Sequence, residues 1–267
     1  MRLLLLSAAL SWTPASPCPQ LPPELFSPLI PQKLLATAQL AQRTPTLYPE
    51  YTTRDAGAWR FSGADTWTSG FLPATFYALA ERAAICPRSM NGMTSAQWLE
   101  IARSSVTGEI PLEVLTHVGH DVGFLSFPFV DELTVYAAAT LQPLHPFLCF
   151  LNLTCFPTSN PYNETALHAV ETFAAALAAR FNPVVGCTRS WDTANPTDFQ
   201  VIVDNMMTLD VLFSAADITG NDTLRQIAIS HADKTMMNHI RADGAPSFLF
   251  YGATPLANLY RIIVPCR

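Results

Sequence analysis

Apolar residues recur at three- and four-residue steps along most of this 267-residue chain, which is the spacing of one face of an α-helix. The strongest example is "NETALHAVETFAAALAARF", in which Leu167, Val170, Phe173 and Leu177 fall on one face. Further helices are predicted over "PATFYALAERAA", "SAQWLEIARSSV" and "NDTLRQIAISHADKTMMNHI". Alternating strand patterns are nearly absent, so the chain is predicted to be mostly α-helical.

One predicted helix contains a carboxylate where an apolar residue is expected. In "FQVIVDNMMTLDVLFSAADITGND", Ile202, Met206 and Leu209 recur at helical steps, and Asp204 interrupts them between Val203 and Asn205. Burying a carboxylate among apolar side chains is costly unless it is paired, hydrogen-bonded or protonated. The position of Asp204 therefore calls for a chemical explanation.

A loose repetition indicates how the helices are organised. The segments "DTWTSGFLPATF", "GHDVGFLSFPF" and "VDNMMTLDVLF" each place polar or aromatic residues before an apolar run. Trp67 and Asp121 are 54 residues apart, whereas Asp121 and Asp204 are 83 apart. Removing residues 134–160, a stretch of 27 without Asp, Glu, Lys or Arg, restores the period to 56. A period of about 55 suits helical hairpins, so we predict a toroid of hairpins with an aberrant insertion; coincidence among three points is the alternative.

The two ends of the chain differ from the rest. Residues 1–24 contain Arg2 and then an apolar stretch that ends near Leu10, which resembles a secretory signal and is too short to span a bilayer. The alternative is an unstructured proline-rich leader on a cytoplasmic protein. Residues 25–267 are assigned to one domain, with 246–267 as an unrelated tail because they show no cap and no clear helical face.

Composition narrows the classes of partner. The chain is 49% apolar and 13% charged, whereas roughly 25% charged residues is typical of soluble domains. A net charge of −6 and the absence of any Lys/Arg run argue against a nucleic-acid partner. The six cysteines show no C-x-x-C pairing, and the spacing of His117, His120 and Asp121 is not followed by a further histidine cluster. We therefore expect no metal, no other cofactor and no membrane partner.

Asp121 and Asp204 are the candidate catalytic residues. Each begins an apolar helical run, where an aspartate can simply cap the helix and stabilise it by about 1–2 kcal/mol. Two aspartates at one mouth of a helical ring would also suit acid–base chemistry on a sugar, provided that apolar surroundings keep one carboxyl protonated. The Val and Met neighbours of Asp204 fit that requirement, whereas Asp121 has His120 and two glycines beside it.

Three aromatic residues and one arginine complete the candidate site. Trp67, Phe71 and Trp191 are either core residues or platforms for a sugar ring; hydroxyl, glycine and charged neighbours of the two tryptophans favour the platform. Arg189 is a candidate to grip a substrate carboxylate with two hydrogen bonds.

These residues lie in blocks that resemble a known family. In order along the chain, "DTWTSGFLPATFYAL", "GHDVGFLSFPF", "RSWD" and "FQVIVDNMMTLDVLFSAADITGNDTL" resemble the unsaturated glucuronyl hydrolases, glycoside hydrolase family 88. The resemblance covers residues 25–244 without the insertion. It implies an all-α fold, an (α/α)6 barrel, and removal of a 4,5-unsaturated glucuronyl residue from lyase-generated oligosaccharides.

The resemblance also implies roles for individual residues. Hydration of the C4–C5 double bond is expected to use Asp204 for proton transfer, with Asp121 holding the substrate and biasing the charge state of Asp204. Trp67, Phe71, His120 and Trp191 match the substrate-binding positions of the family. Asp204 is then tolerated among apolar neighbours because the reaction needs a protonated carboxyl.

The chain also departs from the family pattern. The histidine that usually follows "R-x-D-G" is absent from "RADGAPSFLFYG", and a later glutamine- and tryptophan-containing region is missing. Without leader and insertion the chain provides about four hairpins of the six that a closed barrel needs. We therefore expect an incomplete barrel that folds poorly and has impaired activity. The alternatives are an unsaturated rhamnogalacturonyl hydrolase, an inactive carbohydrate-binding fragment and a purely structural helical scaffold.

Overall fold

The chain folds into helices joined by short strand pairs. A computed structural model describes residues 22–112, 118–140, 161–195, 198–241, 243–244 and 249–252. The helices are α1 (Leu29–Ala41), α2 (Phe71–Ile85), α3 (Ser95–Ser105), α4 (Val122–Leu125), α5 (Phe127–Thr140), α6 (Pro161–Ala178), α7 (Asn205–Thr208), α8 (Asp210–Thr219) and α9 (Asp222–His239). The predicted predominance of helix is confirmed. Residues 1–21 of the leader and 141–160 of the predicted insertion lie outside the described residues.

Capping residues mark the ends of several of these helices. Thr94 and Gln97 form a capping box at the start of α3, in which Thr94 Oγ1 accepts from Gln97 N at 3.3 Å and Gln97 Oε1 accepts from Thr94 N at 2.8 Å. Asn221 Oδ1 caps α9 by accepting from Thr223 N at 3.1 Å. Gly220 ends α8 in the left-handed conformation, at φ 71°, which glycine adopts without steric cost.

Neighbouring helices pack in pairs, as the predicted hairpins require. Helix α2 packs on α3, α5 on α6, and α8 on α9, while α2–α5 and α6–α8 contacts join one pair to the next. The apolar face predicted for α6 is confirmed by the complete burial of Val170, Phe173 and Leu177, whereas Leu167 is exposed. In a second core, the rings of Phe76 and Trp98 stack with their centroids 6.0 Å apart.

Three antiparallel strand pairs add to this helical frame. They join β1 (Leu47–Thr52) to β2 (Trp59–Gly63), β3 (Phe181–Asn182) to β4 (Cys187–Thr188), and β5 (Phe199–Ile202) to β6 (Leu249–Gly252). The prediction of a helix from Phe199 onward is wrong over its first residues, because this segment pairs as β5 with a strand some fifty residues later. A four-residue strand is too short to show alternation in the sequence. Part of the predicted tail, residues 249–252, thus pairs with the body of the fold.

The predicted insertion begins inside a helix. Helix α5 runs to Thr140, so residues 134–140 continue a helix that starts well before them. Among the described residues, no helix combines the length and the apolar character that crossing a membrane requires.

Two glycines bring the three similar sequence blocks into contact. A Cβ atom on Gly70, which precedes α2, would overlap the backbone carbonyl of Phe124 in α4. A Cβ atom on Gly123, also in α4, would overlap the side chain of Thr208 in α7. The glycines of "WTSGF" and "HDVGF" therefore let the blocks that carry Trp67, Asp121 and Asp204 approach one another.

We predict that Gly123→Ala destabilises the protein by about 1–3 kcal/mol, because the added methyl group forces Thr208 and α7 outward. Thermal or urea unfolding measures the change. Gly220→Ala is the matched control: its Cβ meets nothing within 4 Å, so it costs only the roughly 1–2 kcal/mol of a left-handed alanine and leaves the contact between α4 and α7 unchanged. A Gly123→Ala variant as stable as the unchanged protein would contradict the close contact between α4 and α7.

Candidate active site

Each candidate aspartate precedes a short helix of four residues, and neither caps its helix. Asp121 precedes α4 and Asp204 precedes α7, and neither side chain accepts a capping hydrogen bond. The capping interpretation is therefore wrong for both residues. Their carboxylates turn instead towards a common neighbour.

That neighbour is the imidazole of His120. Its Nε2 atom lies 3.1 Å from Asp121 Oδ1 and 3.5 Å from Asp204 Oδ1. The exposed fractions of the side chains are 2% for His120, 22% for Asp121 and 37% for Asp204. The expected convergence of the two aspartates on one small region is observed, and their catalytic roles stay predictions.

The surroundings of Asp204 differ from the expected apolar pocket. Its side chain is partly exposed, and the neighbouring Met206 and Met207 are exposed as well. The expectation of apolar burial is wrong because Asp204 lies on the turn after β5 and not on the inner face of a helix. Burial instead raises the pKa of Asp121; the charge of His120 opposes the rise and the charge of Asp204 adds to it.

The backbone of Ser190, in the "RSWD" block, fixes the histidine. Its carbonyl oxygen accepts a hydrogen bond from His120 Nδ1 at 2.7 Å and another from Arg180 Nη2 at 3.0 Å. Its N–H donates to Gln200 O at 2.9 Å, and its hydroxyl oxygen accepts from Ile202 N at 2.9 Å. Ser190 thus fastens the imidazole to β5, the strand that leads directly to Asp204.

Arg180, just after α6, holds the same block from the other side. Its Nε donates to Arg189 O at 2.8 Å, and its two terminal nitrogens contact the Asp192 carboxylate at 3.0 and 3.1 Å. This bidentate hydrogen bond lowers the pKa of Asp192. Arg180 does not stand out in the sequence, because a cation at the end of a helix has the simpler explanation of a contact with the helix dipole.

Buried polar residues support the turn that carries Asp204. Asn205 is fully buried, and its side-chain amide donates to Thr188 O at 3.2 Å. Thr188 N donates in turn to His231 Nδ1 at 3.0 Å, and His239 Nε2 lies 3.2 Å from Val201 O. The two histidines lie eight residues apart on one face of α9, a spacing that could have signalled this layer.

The aromatic candidates lie on segments that contact the turn of His120 and Asp121. Trp67 is 50% exposed, and its ring lies edge-on to Phe71 at 6.0 Å and to Phe124 at 6.2 Å between centroids. Phe124 belongs to α4, three residues after Asp121. Trp191 is 41% exposed and follows Ser190 directly. Both tryptophans are thus exposed on segments that lead to or from the residues around His120, and their role in binding a sugar stays a prediction.

The structure places Arg189 beside Phe199. Its charge adds to the effect of the Arg180 hydrogen bond, which is the larger cause of the lowered pKa of Asp192. The Arg189 guanidinium carbon lies 4.9 Å from the centre of the Phe199 ring. It lines a separate cavity of about 290 Å³, shared with Arg180, Asp192 and Phe199, to which neither catalytic candidate contributes. The cavity lies beside the "RSWD" block, and the role of Arg189 in substrate binding stays a prediction.

The three central groups also have the arrangement of metal ligands. Ligand atoms of His120, Asp121 and Asp204 all lie within 4.8 Å of one another. One imidazole and two carboxylates suit a divalent transition metal, and a ring N–H bonded to a backbone carbonyl is a frequent support for a metal-binding histidine. His117, considered with them in the sequence, lies outside the described residues. The absence of a metal therefore stays a prediction.

Comparison with known proteins finds unsaturated glucuronyl hydrolases among the similar proteins. No protein-family model matches the chain. A curated unsaturated glucuronyl hydrolase of Formosa agariphila is 26% identical over 178 residues, which are 66% of this chain and 36% of that protein. The crystal structure of an unsaturated glucuronyl hydrolase specific for heparin has a TM-score of 0.64 at 23% identity, over 86% of this chain and 52% of that one. The unsaturated glucuronyl hydrolase of Bacillus sp. GL1 has a TM-score of 0.64 at 19% identity, over 86% and 54%.

The predicted resemblance to unsaturated glucuronyl hydrolases is thereby confirmed. The fold is part of their (α/α)6 barrel, with short strand pairs at the helix connections. The chain spans about half the length of these solved relatives and about a third of the curated one.

We predict that Asp121→Asn stabilises the folded protein at neutral pH. Because burial raises the pKa of Asp121 above its unfolded value of about 3.9, the residue favours folding at low pH and loses that contribution as pH rises through the folded value. Residue 121 should thus contribute equally to the free energy of unfolding of both proteins below about pH 4. At pH 7 the variant should be the more stable protein. Urea unfolding across this range measures the difference; a less stable variant at pH 7 would contradict it.

Proposed function

Proceeding from this likeness, we propose that the chain is a glycoside hydrolase that removes a 4,5-unsaturated glucuronyl residue from lyase-generated oligosaccharides. The supporting observation is the convergence of Asp121 and Asp204 on the buried imidazole of His120, within the blocks that carry the resemblance. Hydration of an enol ether needs an acid that protonates the double bond and then a base that activates water at the adjacent carbon. One carboxyl group can serve both functions if it gives up a proton in the first step and accepts one in the second. The leader favours export of the protein.

Asp204 is the proposed acid because it is the more exposed of the two carboxyls and can reach a substrate. As a neutral acid it gives its proton to C4, which leaves a cation at C5 that the ring oxygen stabilises. The resulting carboxylate takes a proton from the water that adds at C5. The hemiketal so formed opens and releases the neighbouring sugar, and Asp204 regains its starting state.

The other residues position the substrate and set the charge. Asp121 is the more buried of the two carboxyls and has a raised pKa. Its charge beside the same imidazole is proposed to bias the charge state of Asp204. The exposed rings of Trp67 and Trp191 supply apolar faces that match the C–H face of a pyranose. A role for Arg189 in holding the uronate carboxylate requires the substrate to extend into the cavity beside the "RSWD" block.

We predict that Asp204→Asn reduces turnover of an unsaturated glucuronyl disaccharide by at least about a hundredfold, because an amide cannot transfer the proton. Loss of the near-ultraviolet absorbance of the double bond follows the reaction. Asp217→Asn is the matched control, since Asp217 is an exposed aspartate of α8 that pairs with Arg225. Undiminished turnover by Asp204→Asn would refute the assignment.

The same assay separates the proposed activity from its alternatives. An unchanged chain that binds the disaccharide without consuming it is an inactive carbohydrate-binding fragment. Faster turnover of an unsaturated rhamnogalacturonyl substrate would replace the proposed substrate class. Neither alternative is favoured by an observation on the described residues.

We further predict that dialysis against EDTA leaves turnover unchanged, because the proposed chemistry needs only the proton of the Asp204 carboxyl. The comparison is the same assay before and after dialysis, with each of several divalent metals added back. Loss of activity that a single metal restores would identify His120, Asp121 and Asp204 as metal ligands instead.

A further inference from the structure

We propose that His120 is a positioning residue whose Nε2 atom shares the single exchangeable proton of the site with Asp204. Its part in turnover rests on the proposed function, whereas the tautomer and the shared proton are properties of this chain that can be measured without a substrate. The imidazole is almost fully buried, so it is placed to act through the carboxylates and not, as the family resemblance implies, by binding the substrate directly.

The first step fixes the tautomer. A backbone carbonyl can only accept a hydrogen bond, so the 2.7 Å contact between His120 Nδ1 and Ser190 O requires the proton on Nδ1. Arg180 donates to the same oxygen and prevents the segment from turning away. In the neutral ring, Nε2 therefore carries a lone pair and no proton.

The second step concerns two buried atoms that need one proton between them. His120 Nε2 and Asp204 Oδ1 lie 3.5 Å apart, and neither has a hydrogen-bond partner in the described part of the chain. A lone pair facing a carboxylate oxygen leaves two buried acceptors unsatisfied, which costs about 1–3 kcal/mol each. One proton, on the ring or on the carboxyl, allows a hydrogen bond between them after a small side-chain rotation.

The surrounding charges keep that proton in place. Asp121 lies 3.1 Å from the same Nε2 and adds a second negative charge. Arg180 is paired with the Asp192 carboxylate through two contacts, and its charge only partly opposes the rise that burial causes in the pKa of Asp121.

On α9, burial lowers the pKa of His231 to about 4, so this neighbour is neutral at pH 7. Burial also lowers the pKa of His239, and the charge of Asp204 opposes that change. Without the shared proton the three central groups would carry two negative charges in a small volume.

His120 and Asp204 therefore have different roles in the proposed reaction. The ring accepts a hydrogen bond from the neutral Asp204 carboxyl and stabilises its protonated form. Because Oδ1 of Asp204 is buried, the carboxyl delivers the proton to C4 from its other oxygen, after the proton passes from the buried side by rotation of the carboxyl group. The proton that leaves the attacking water returns to Asp204 by the reverse path, and the count of protons is unchanged over the cycle.

Two substitutions of His120 separate its two nitrogens. In His120→Asn the amide replaces the Nδ1 donor to Ser190, and nothing remains at the Nε2 position. In His120→Gln an amide N–H₂ group falls near the Nε2 position and donates to the carboxylates. We expect kcat at pH 7 to fall about tenfold or more in both, with KM changed less. The alkaline limit of the kcat profile should move to lower pH in His120→Asn and further still in His120→Gln, because a donor stabilises the ionised carboxylate.

A purely structural histidine would give a different result. It would lower kcat or the melting temperature of both variants without moving the alkaline limit, and that outcome would overturn the proposal. Asp217→Asn serves again as the control for the profile, because it changes an exposed charge on α8.

A measurement without substrate tests the inference independently of turnover. In ¹⁵N-histidine-labelled protein, with the His120 signals assigned by their loss in His120→Asn, we expect Nδ1 to be protonated at every pH. The Nε2 signal should shift in Asp204→Asn and stay in place in Asp217→Asn. If the unchanged chain proves inactive, these signals still decide the shared proton, and only the proposed function fails. An unprotonated Nδ1, or an Nε2 signal that does not shift in Asp204→Asn, would show the inference to be wrong.

Discussion

The carbonyl oxygen of Ser190 holds the candidate active site together. It accepts from the ring of His120 and from Arg180, while the N–H and hydroxyl of the same residue are bonded to β5. One residue thereby joins the histidine, the arginine and the strand that leads to Asp204. Because the carbonyl dictates which imidazole nitrogen carries a proton, it also dictates what the other nitrogen can offer to the two carboxylates.

Close packing of small residues sets the distance over which this chemistry can act. Gly70 lies against the backbone of Phe124, and Gly123 lies against Thr208, so the starts of α2, α4 and α7 approach more closely than side chains would allow. Trp67, Asp121 and Asp204 each precede one of these helices. The glycines of the sequence blocks therefore serve the geometry of the site, whereas the acidic and aromatic residues serve its chemistry.

Sequence patterns predicted the parts of this structure that depend on local order. The buried face of α6 follows from helical spacing alone. Because Asp121 and Asp204 each stand at the start of a similar block, the repetition also predicted that they lie close together, as they do around His120. The pairing of β5 with β6 joins segments about fifty residues apart and leaves no local trace. The role of Ser190 depends mainly on backbone atoms, which every residue possesses, and the charge of Arg189 does not reveal which cavity its side chain lines.

The environment of Asp204 resolves a conflict that the sequence argument contained. A carboxyl that stays protonated through apolar burial is poorly placed to reach a substrate, whereas an exposed carboxyl in water gives up its proton. Here one oxygen of Asp204 is buried against His120 Nε2 while the side chain as a whole is 37% exposed. Proton retention can then come from a directed contact on one side of the carboxyl, which leaves the other side open to the double bond.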